Sequence, residues 1–250
     1  MSVRRKRCSE LANTTVYSGL YTHPLMVYDL SWVERAKARQ RRWCASLGAE
    51  YRLIRGMERW ARLCHHPESW SFGTMIKFAA MEDYLGSGVA GDFVWVDLDV
   101  YPTDAAFGVP VPRGNLFYAP LVSVSWAREH DAWHMNNKLA WWNPGVSEYF
   151  AWSTGMYVMD RDTVEKVWGW LNRHSDINSR RWWDDHYVRQ CVLSRERPWE
   201  FGTEEALLEE WLNSHQISFE CMTDEFHSVH HDRKPVFLHF YGQSKKNYPL

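Results

Sequence analysis

The stretch Asp92-Phe93-Val94-Trp95-Val96-Asp97-Leu98-Asp99-Val100 governs how the rest of the chain is read. A short apolar run with the β-branched and aromatic content of a buried strand stops abruptly at two carboxylates separated by one residue. Uncompensated charge does not sit at the end of a core strand. A spacing of two on an extended chain turns both side chains to one face, where paired hard oxygen ligands suit hydrated Mg²⁺ or Mn²⁺ better than a soft-ligand metal. In open α/β sheets ligands bind beyond the carboxyl ends of the strands. The pair sits where the apolar run ends, before Tyr101, Pro102 and Thr103, which are expected to turn the chain. Asp97 and Asp99 therefore read as a metal and diphosphate site.

Working outward, Thr14 to Ser18 reads as a first strand, and Ser31 with Glu34 forms a capping box for a helix running to Gly48. Trp32, Val33, Ala36, Trp43, Cys44 and Leu47 fall on the inner face of that helix. Glu50 to Ile54 reads as a second strand. A second helix is expected over about Phe72 to Leu85, with Met75, Ile76, Ala79 and Ala80 inward and Gly86 as its stop. Strand, helix, strand, helix, strand in this order predicts a parallel nucleotide-binding sheet with helices on its faces. The second half is mixed. Leu116 to Val122, Met156 to Met159, Ile217 to Cys221 and Val236 to Phe240 read as strands; Thr163 to Leu171, Trp182 to Leu193 and Glu204 to Leu212 read as helices.

The 250 residues are 45% hydrophobic, and no linker, repeat or low-complexity tract divides them, which predicts one domain with a substantial core. A net charge of -2 provides no global basic field for nucleic acid, and Arg4 to Arg7 read as a solvated basic tail or a contact for an anionic acceptor. There is no run of 18 apolar residues and no apolar core behind the charged N-terminal stretch, so neither a membrane span nor a signal peptide is expected. Five scattered cysteines without C-x-x-C spacing favour free thiols and hence a reducing compartment; the cytoplasm is the expected location. Among sixteen tryptophans, Trp126, Trp133, Trp141 and Trp142 fall in a stretch of little periodicity, either stacking on sugar or base faces in a cleft or packing a loop.

Near the C-terminus, HFYGQSKK places His239, Gly242 and Lys245 in the spacing H-x-x-G-x-x-K. With the D-x-D, this resembles the GT-A glycosyltransferases, and in particular the glycogenin, galactinol synthase and lipopolysaccharide galactosyltransferase family. The resemblance implies a Rossmann-like nucleotide-binding mixed sheet flanked by helices, divided into a nucleotide-sugar-binding half (1–110) and an acceptor-binding half (111–250). It implies Mn²⁺ or Mg²⁺ held by Asp97, Asp99 and His239, with Asp97 also reaching the donor ribose and Gly242 and Lys245 approaching the donor diphosphate. The family usually follows that lysine with Pro-Trp, where this chain has Lys246 and Asn247. Lys77 sits where related enzymes often place a donor-contacting basic residue, a solvent-facing lysine being the other reading, and Tyr17 and Ser18 end the first strand at the edge expected to hold the nucleotide.

Trp152 to Met156 resembles the N-S-G strand entry of the same family, where Gly155 would let the backbone approach the donor sugar. Trp183-Asp184-Asp185-His186-Tyr187-Val188 resembles the D-Q-D segment of the retaining family and equally the E-D-x-Y-V segment of inverting β-galactosyltransferases, whose acid is the general base. Asp184 or Asp185 would face the sugar or the acceptor hydroxyl. Paired acids opening a helix are also favoured by the helix dipole alone. His227, His230 and His231 are expected to line a surface loop.

The expected activity is transfer of a sugar, with retention, from a nucleotide diphosphate sugar (a uridine donor) to a hydroxyl on a glycan, a protein or a modified nucleobase. Two other readings of the same residues stay open. A haloacid dehalogenase-type phosphohydrolase also carries D-x-D at a strand end, although a small hydroxyl residue follows its motif where Val100 and Tyr101 follow here. A non-catalytic carbohydrate-binding protein would use the aromatic residues alone.

Overall fold

In the computed structural model the described residues are 14–23, 30–65, 73–111, 113–118, 121–123, 148–150, 153–173, 178–183, 220–222, 226–228, 234–240 and 249. The strands are β1 (Thr15–Gly19), β2 (Glu50–Ile54), β3 (Phe93–Val96), β4 (Val100–Pro102), β5 (Leu116–Tyr118), β6 (Leu121–Ser123), β7 (Glu148–Phe150), β8 (Ser153–Met159), β9 (Glu220–Met222), β10 (His227–Ser228) and β11 (Phe237–His239). The helices are α1 (Val33–Leu47), α2 (Glu58–Ala61), α3 (Ile76–Ser87) and α4 (Arg161–Arg173).

Six strands form a sheet in the order β2-β1-β3-β8-β5-β9. Its first three run parallel, as the alternation predicts, while β8 runs antiparallel to both β3 and β5. The result is one mixed α/β domain with helices on both faces of the sheet. Alternate residues along the strands serve opposite faces. Tyr17, Phe93, Trp95, Tyr157 and Met159 pack with α3, α4 and Trp183, whereas Val16, Val94, Val96, Met156 and Val158 pack with Trp43 and Cys44 of α1. Burial on both sides explains why β3 is apolar without alternation, and it contributes on the order of 1.5–3 kcal/mol for each fully buried side chain.

Several local expectations change. No capping box forms: Trp32 is the N-cap without a side-chain bond, because a turn from Leu30 to Val33 (3.0 Å) leads into α1 and Glu34 is drawn instead to Lys37 Nζ at 2.5 Å. The inner face of α1 includes Lys37 and Gln40, while Leu47 is only half-buried. Gly86 lies within α3, which ends at Gly88, where φ of 65° gives the left-handed cap. The single strand expected from Leu116 to Val122 is two strands, β5 and β6, in different sheets. The segments 184–193 and 204–212, read as helix, lie outside the described residues. Cys44 and Cys64 are buried thiols, and burial pushes the Cys44 thiol up to about 12.

The consequential difference is at 97–102. Tyr101-Pro102-Thr103 is not the turn; Tyr101 and Pro102 belong to β4, and the turn is Asp97 to Val100, closed by Val100 N–H to the Asp97 carbonyl at 3.0 Å. Pairing with β11 overrides the Pro signal. Phe240 N–H donates to the Asp99 carbonyl (2.8 Å) and Thr103 N–H to the Val236 carbonyl (3.0 Å), so Val100 and Pro102 face the other edge, where a missing N–H costs nothing. That edge is covered by α1, whose Arg39 Nε donates to the Pro102 carbonyl at 2.7 Å. β4, β11 and β10 form a second, three-stranded sheet. No helix among the described residues is long and apolar enough to cross a membrane.

Candidate metal centre

The turn between β3 and β4 passes from the large sheet to the small one, and its two acids belong to different sides of that passage. Asp97 stays with the large sheet: its N–H donates to the Gly155 carbonyl of β8 at 2.6 Å. Trp95, two residues earlier, donates its indole N–H to Asp97 Oδ1 at 2.6 Å. Gly19 leaves the space for that indole, since a Cβ there would lie 2.7 Å from both Trp95 Cη2 and Ile76 Cγ2. Lys77, buried on α3, brings Nζ to 3.4 Å from Asp97 Oδ2 and lies 5.9 Å from the centre of the Trp95 ring. A buried ammonium needs a compensating anion, and Asp97 is that anion.

Asp99 travels with the small sheet and meets His239, whose Nε2 is 3.3 Å from Asp99 Oδ1. The ligand-type atoms of Asp97, Asp99 and His239 all lie within 4.8 Å of one another. Two carboxylate oxygens and one imidazole nitrogen make a hard-to-borderline set that fits Mn²⁺ or Mg²⁺ and leaves positions for phosphate oxygens. The side chains of Asp99 and His239 are 10% exposed and that of Asp97 is 25% exposed, so the cluster opens on the Asp97 side.

His239 sits in a slot. The Gly155 backbone approaches so closely that a Cβ would lie 2.5 Å from His239 Cε1, and the His227 ring stacks on His239 at 5.6 Å and 27°. His227 is not in a surface loop but wholly buried on β10. Burial holds its imidazole well below the ordinary value of 6.5, with His239 acting in the same direction and Asp99 opposing. The folded chain thus keeps His227 neutral while the unfolded chain takes up a proton below about 6.5, so stability present at neutral pH is lost as the pH falls. We expect thermal melts at about pH 5.5 to lose roughly 1.4 kcal/mol, or about 3–5 °C, relative to about pH 7.5 from this group. His227→Phe should remove that increment. An acid shift unchanged in the variant would assign it to other groups.

Of the expected donor contacts, Lys77, Asp97 and Gly155 come together at this centre. Tyr17 and Ser18 lie beneath it. Tyr17 is buried against Phe93 (5.2 Å) and Tyr84 (6.3 Å), and the Ser18 hydroxyl is shared between Gln40 Oε1 (2.8 Å) and the Val96 carbonyl. Asp184, Asp185, Gly242 and Lys245 lie outside the described residues, as do Trp126, Trp133, Trp141, Trp142, His230 and His231. The segment leading to Asp184 is anchored by Trp183, which is buried 6.1 Å from Trp60. Sequence reasoning missed Trp95 and Gln40, and it placed His227 in a surface loop instead of beside His239. Gln40 had one available signal, a polar residue on the helical stripe Val33, Ala36, Gln40, Trp43.

No family model matches the chain, and no curated protein matches it. Among solved structures, a glycosyltransferase involved in the glycosylation of the major capsid of PBCV-1 aligns over 95% of this chain and 99% of its own, at 14% identity and a TM-score of 0.43. A likeness that low leaves the chemistry to be read from the site.

Proposed function

We propose that the chain is a metal-dependent GT-A glycosyltransferase, moving a sugar from a nucleotide diphosphate donor, a uridine nucleotide, to a hydroxyl acceptor with retention. The observation that carries this reading is the convergence of Asp97, Asp99 and His239 from two sheets, with the buried Lys77 ammonium 3.4 Å from Asp97. Mn²⁺ or Mg²⁺ bound there would neutralise charge on the leaving diphosphate. Asp99 and His239 would ligate it, and Asp97, oriented by the Trp95 indole, would complete the set and reach the ribose. Lys77 and Lys245 would balance the phosphate charge, with Gly242 giving the backbone room beside it. Tyr17 and Ser18 would support the nucleotide edge of the 1–110 half.

Gly155 would border the donor sugar, and Asp184 or Asp185, in the 111–250 half, would orient the sugar or the acceptor hydroxyl. Under retention neither acid has to act as a free base, since the departing diphosphate can take the acceptor proton on the same face. The acceptor is a glycan, a protein or a modified nucleobase, and the location is the cytoplasm. The test is a screen of nucleotide sugars without acceptor. Slow release of uridine diphosphate by transfer to water is expected with Mn²⁺ and not with chelator. Equal nucleotide binding in both conditions would overturn the metal-bridged donor.

A further inference from the structure

We infer that Gln40 is a positioning residue that fixes the turn carrying Asp97 and Asp99, and through it the spacing of the candidate metal ligands; this rests on the metal-site reading above. Gln40 is wholly buried in the middle of α1, and both ends of its amide are fully engaged. Nε2 donates to the carbonyls of Asp97 (2.8 Å) and Val100 (3.0 Å), the first and last residues of the turn. Oε1 accepts from the hydroxyls of Ser18 on β1 (2.8 Å) and Tyr51 on β2 (3.1 Å).

The orientation of that amide is determined by its partners. Rotating it by half a turn would set Oε1 against two carbonyls, which only accept. Burial pushes the Tyr51 phenol up to about 12, so it remains a donor throughout the neutral range. Ser18 and Tyr51 belong to the large sheet, and Val100 begins the small one. Asp97 rides on the first and Asp99 with His239 on the second, so the distance among the three ligands depends on how the sheets are held together at this turn. Gln40 is bonded to both sheets. A helix residue placed only to fill space would not need two donors aimed at the ends of one turn, and an apolar side chain there would take this partner from two carbonyls and two hydroxyls at a buried site.

The test is calorimetric titration of the full chain with Mn²⁺ alone, together with thermal melts, for the wild type, Gln40→Met and Tyr51→Phe. Methionine keeps the length and removes all four bonds. A role in positioning predicts Mn²⁺ affinity about 10–100-fold weaker in Gln40→Met. Tyr51→Phe, which touches only the far end of the amide, should weaken it roughly two- to tenfold. A purely structural role would lower the melting temperature and leave the affinity of the folded protein unchanged. Wild-type affinity in Gln40→Met, or in Tyr51→Phe should the first variant not fold, overturns the role of Gln40 while leaving the metal site intact. A wild type that does not bind Mn²⁺ overturns the metal reading and this inference together.

Discussion

Asp99→Ala is expected to lower metal-dependent transfer by at least about a hundredfold while the chain remains folded. The asymmetry follows from what Asp99 touches. Its carboxylate faces His239 at 3.3 Å and lies within 4.8 Å of the ligand oxygen of Asp97, so without metal it adds like charge to a mostly buried cluster in which, among the described residues, Lys77 supplies the ammonium. Removing it relieves that repulsion and leaves only the small space of one carboxyl group beside His239, so the melting temperature without metal should stay close to that of the wild type. With metal the two proteins part. A ligand present at 100 times its dissociation constant stabilises the fold by about 2.7 kcal/mol, which would appear in wild-type melts with Mn²⁺ and vanish in the variant. Parallel melts with and without Mn²⁺, set beside nucleotide release, check both halves. Turnover near the wild-type level at limiting Mn²⁺ would remove Asp99 from the ligand set.

The parallel half of the sheet was legible because its strands announce themselves locally. Val94 and Val96 face one helical layer, Phe93 and Trp95 the other, and a strand covered on both sides shows as an unbroken apolar run. The small sheet was not legible for the opposite reason. Tyr101-Pro102-Thr103 carries a strong local turn signal, yet Val100–Pro102 is a strand because Phe237–His239 pairs with it from the far end of the chain. Pairing of that kind has no local signature. The capping box failed similarly: the residue types were present at Ser31 and Glu34, but a turn from Leu30 leads into the helix and Lys37 draws the Glu34 carboxylate.

The same division runs through the site. Asp97 and Asp99 could be found from spacing, although they converge through a turn and not along an extended strand. His239 could be found only through the motif around it. Trp95, Gln40 and His227 act on groups whose positions depend on tertiary contacts: the Trp95 indole on Asp97, the Gln40 amide on a turn 57 and 60 residues away, and the His227 ring on His239.

Gly155→Ala should be nearly as damaging as loss of a ligand, although it adds a single methyl group. The backbone at Gly155 does not have a positive φ, so alanine is conformationally acceptable and the effect is one of space. The new Cβ would lie 2.5 Å from His239 Cε1, 2.7 Å from Nδ1 and 3.3 Å from Nε2, and neither party can withdraw freely. The Gly155 carbonyl accepts from Asp97 N–H at 2.6 Å, so a retreat of β8 drags the other end of the metal set with it. His239 is also stacked with the His227 ring at 5.6 Å, so moving its imidazole disturbs that contact as well. Overpacking of this kind costs about 1–3 kcal/mol of stability. A misplacement of about 1 Å at a reacting centre costs about a hundredfold in rate, and the same loss of transfer is expected here with weaker Mn²⁺ binding in calorimetry. Gly155→Ala combined with His227→Ala opens space beside the imidazole and should recover part of the Mn²⁺ affinity. Wild-type Mn²⁺ affinity and turnover in the single variant would show that His239 can leave this slot without consequence, and so is not a ligand.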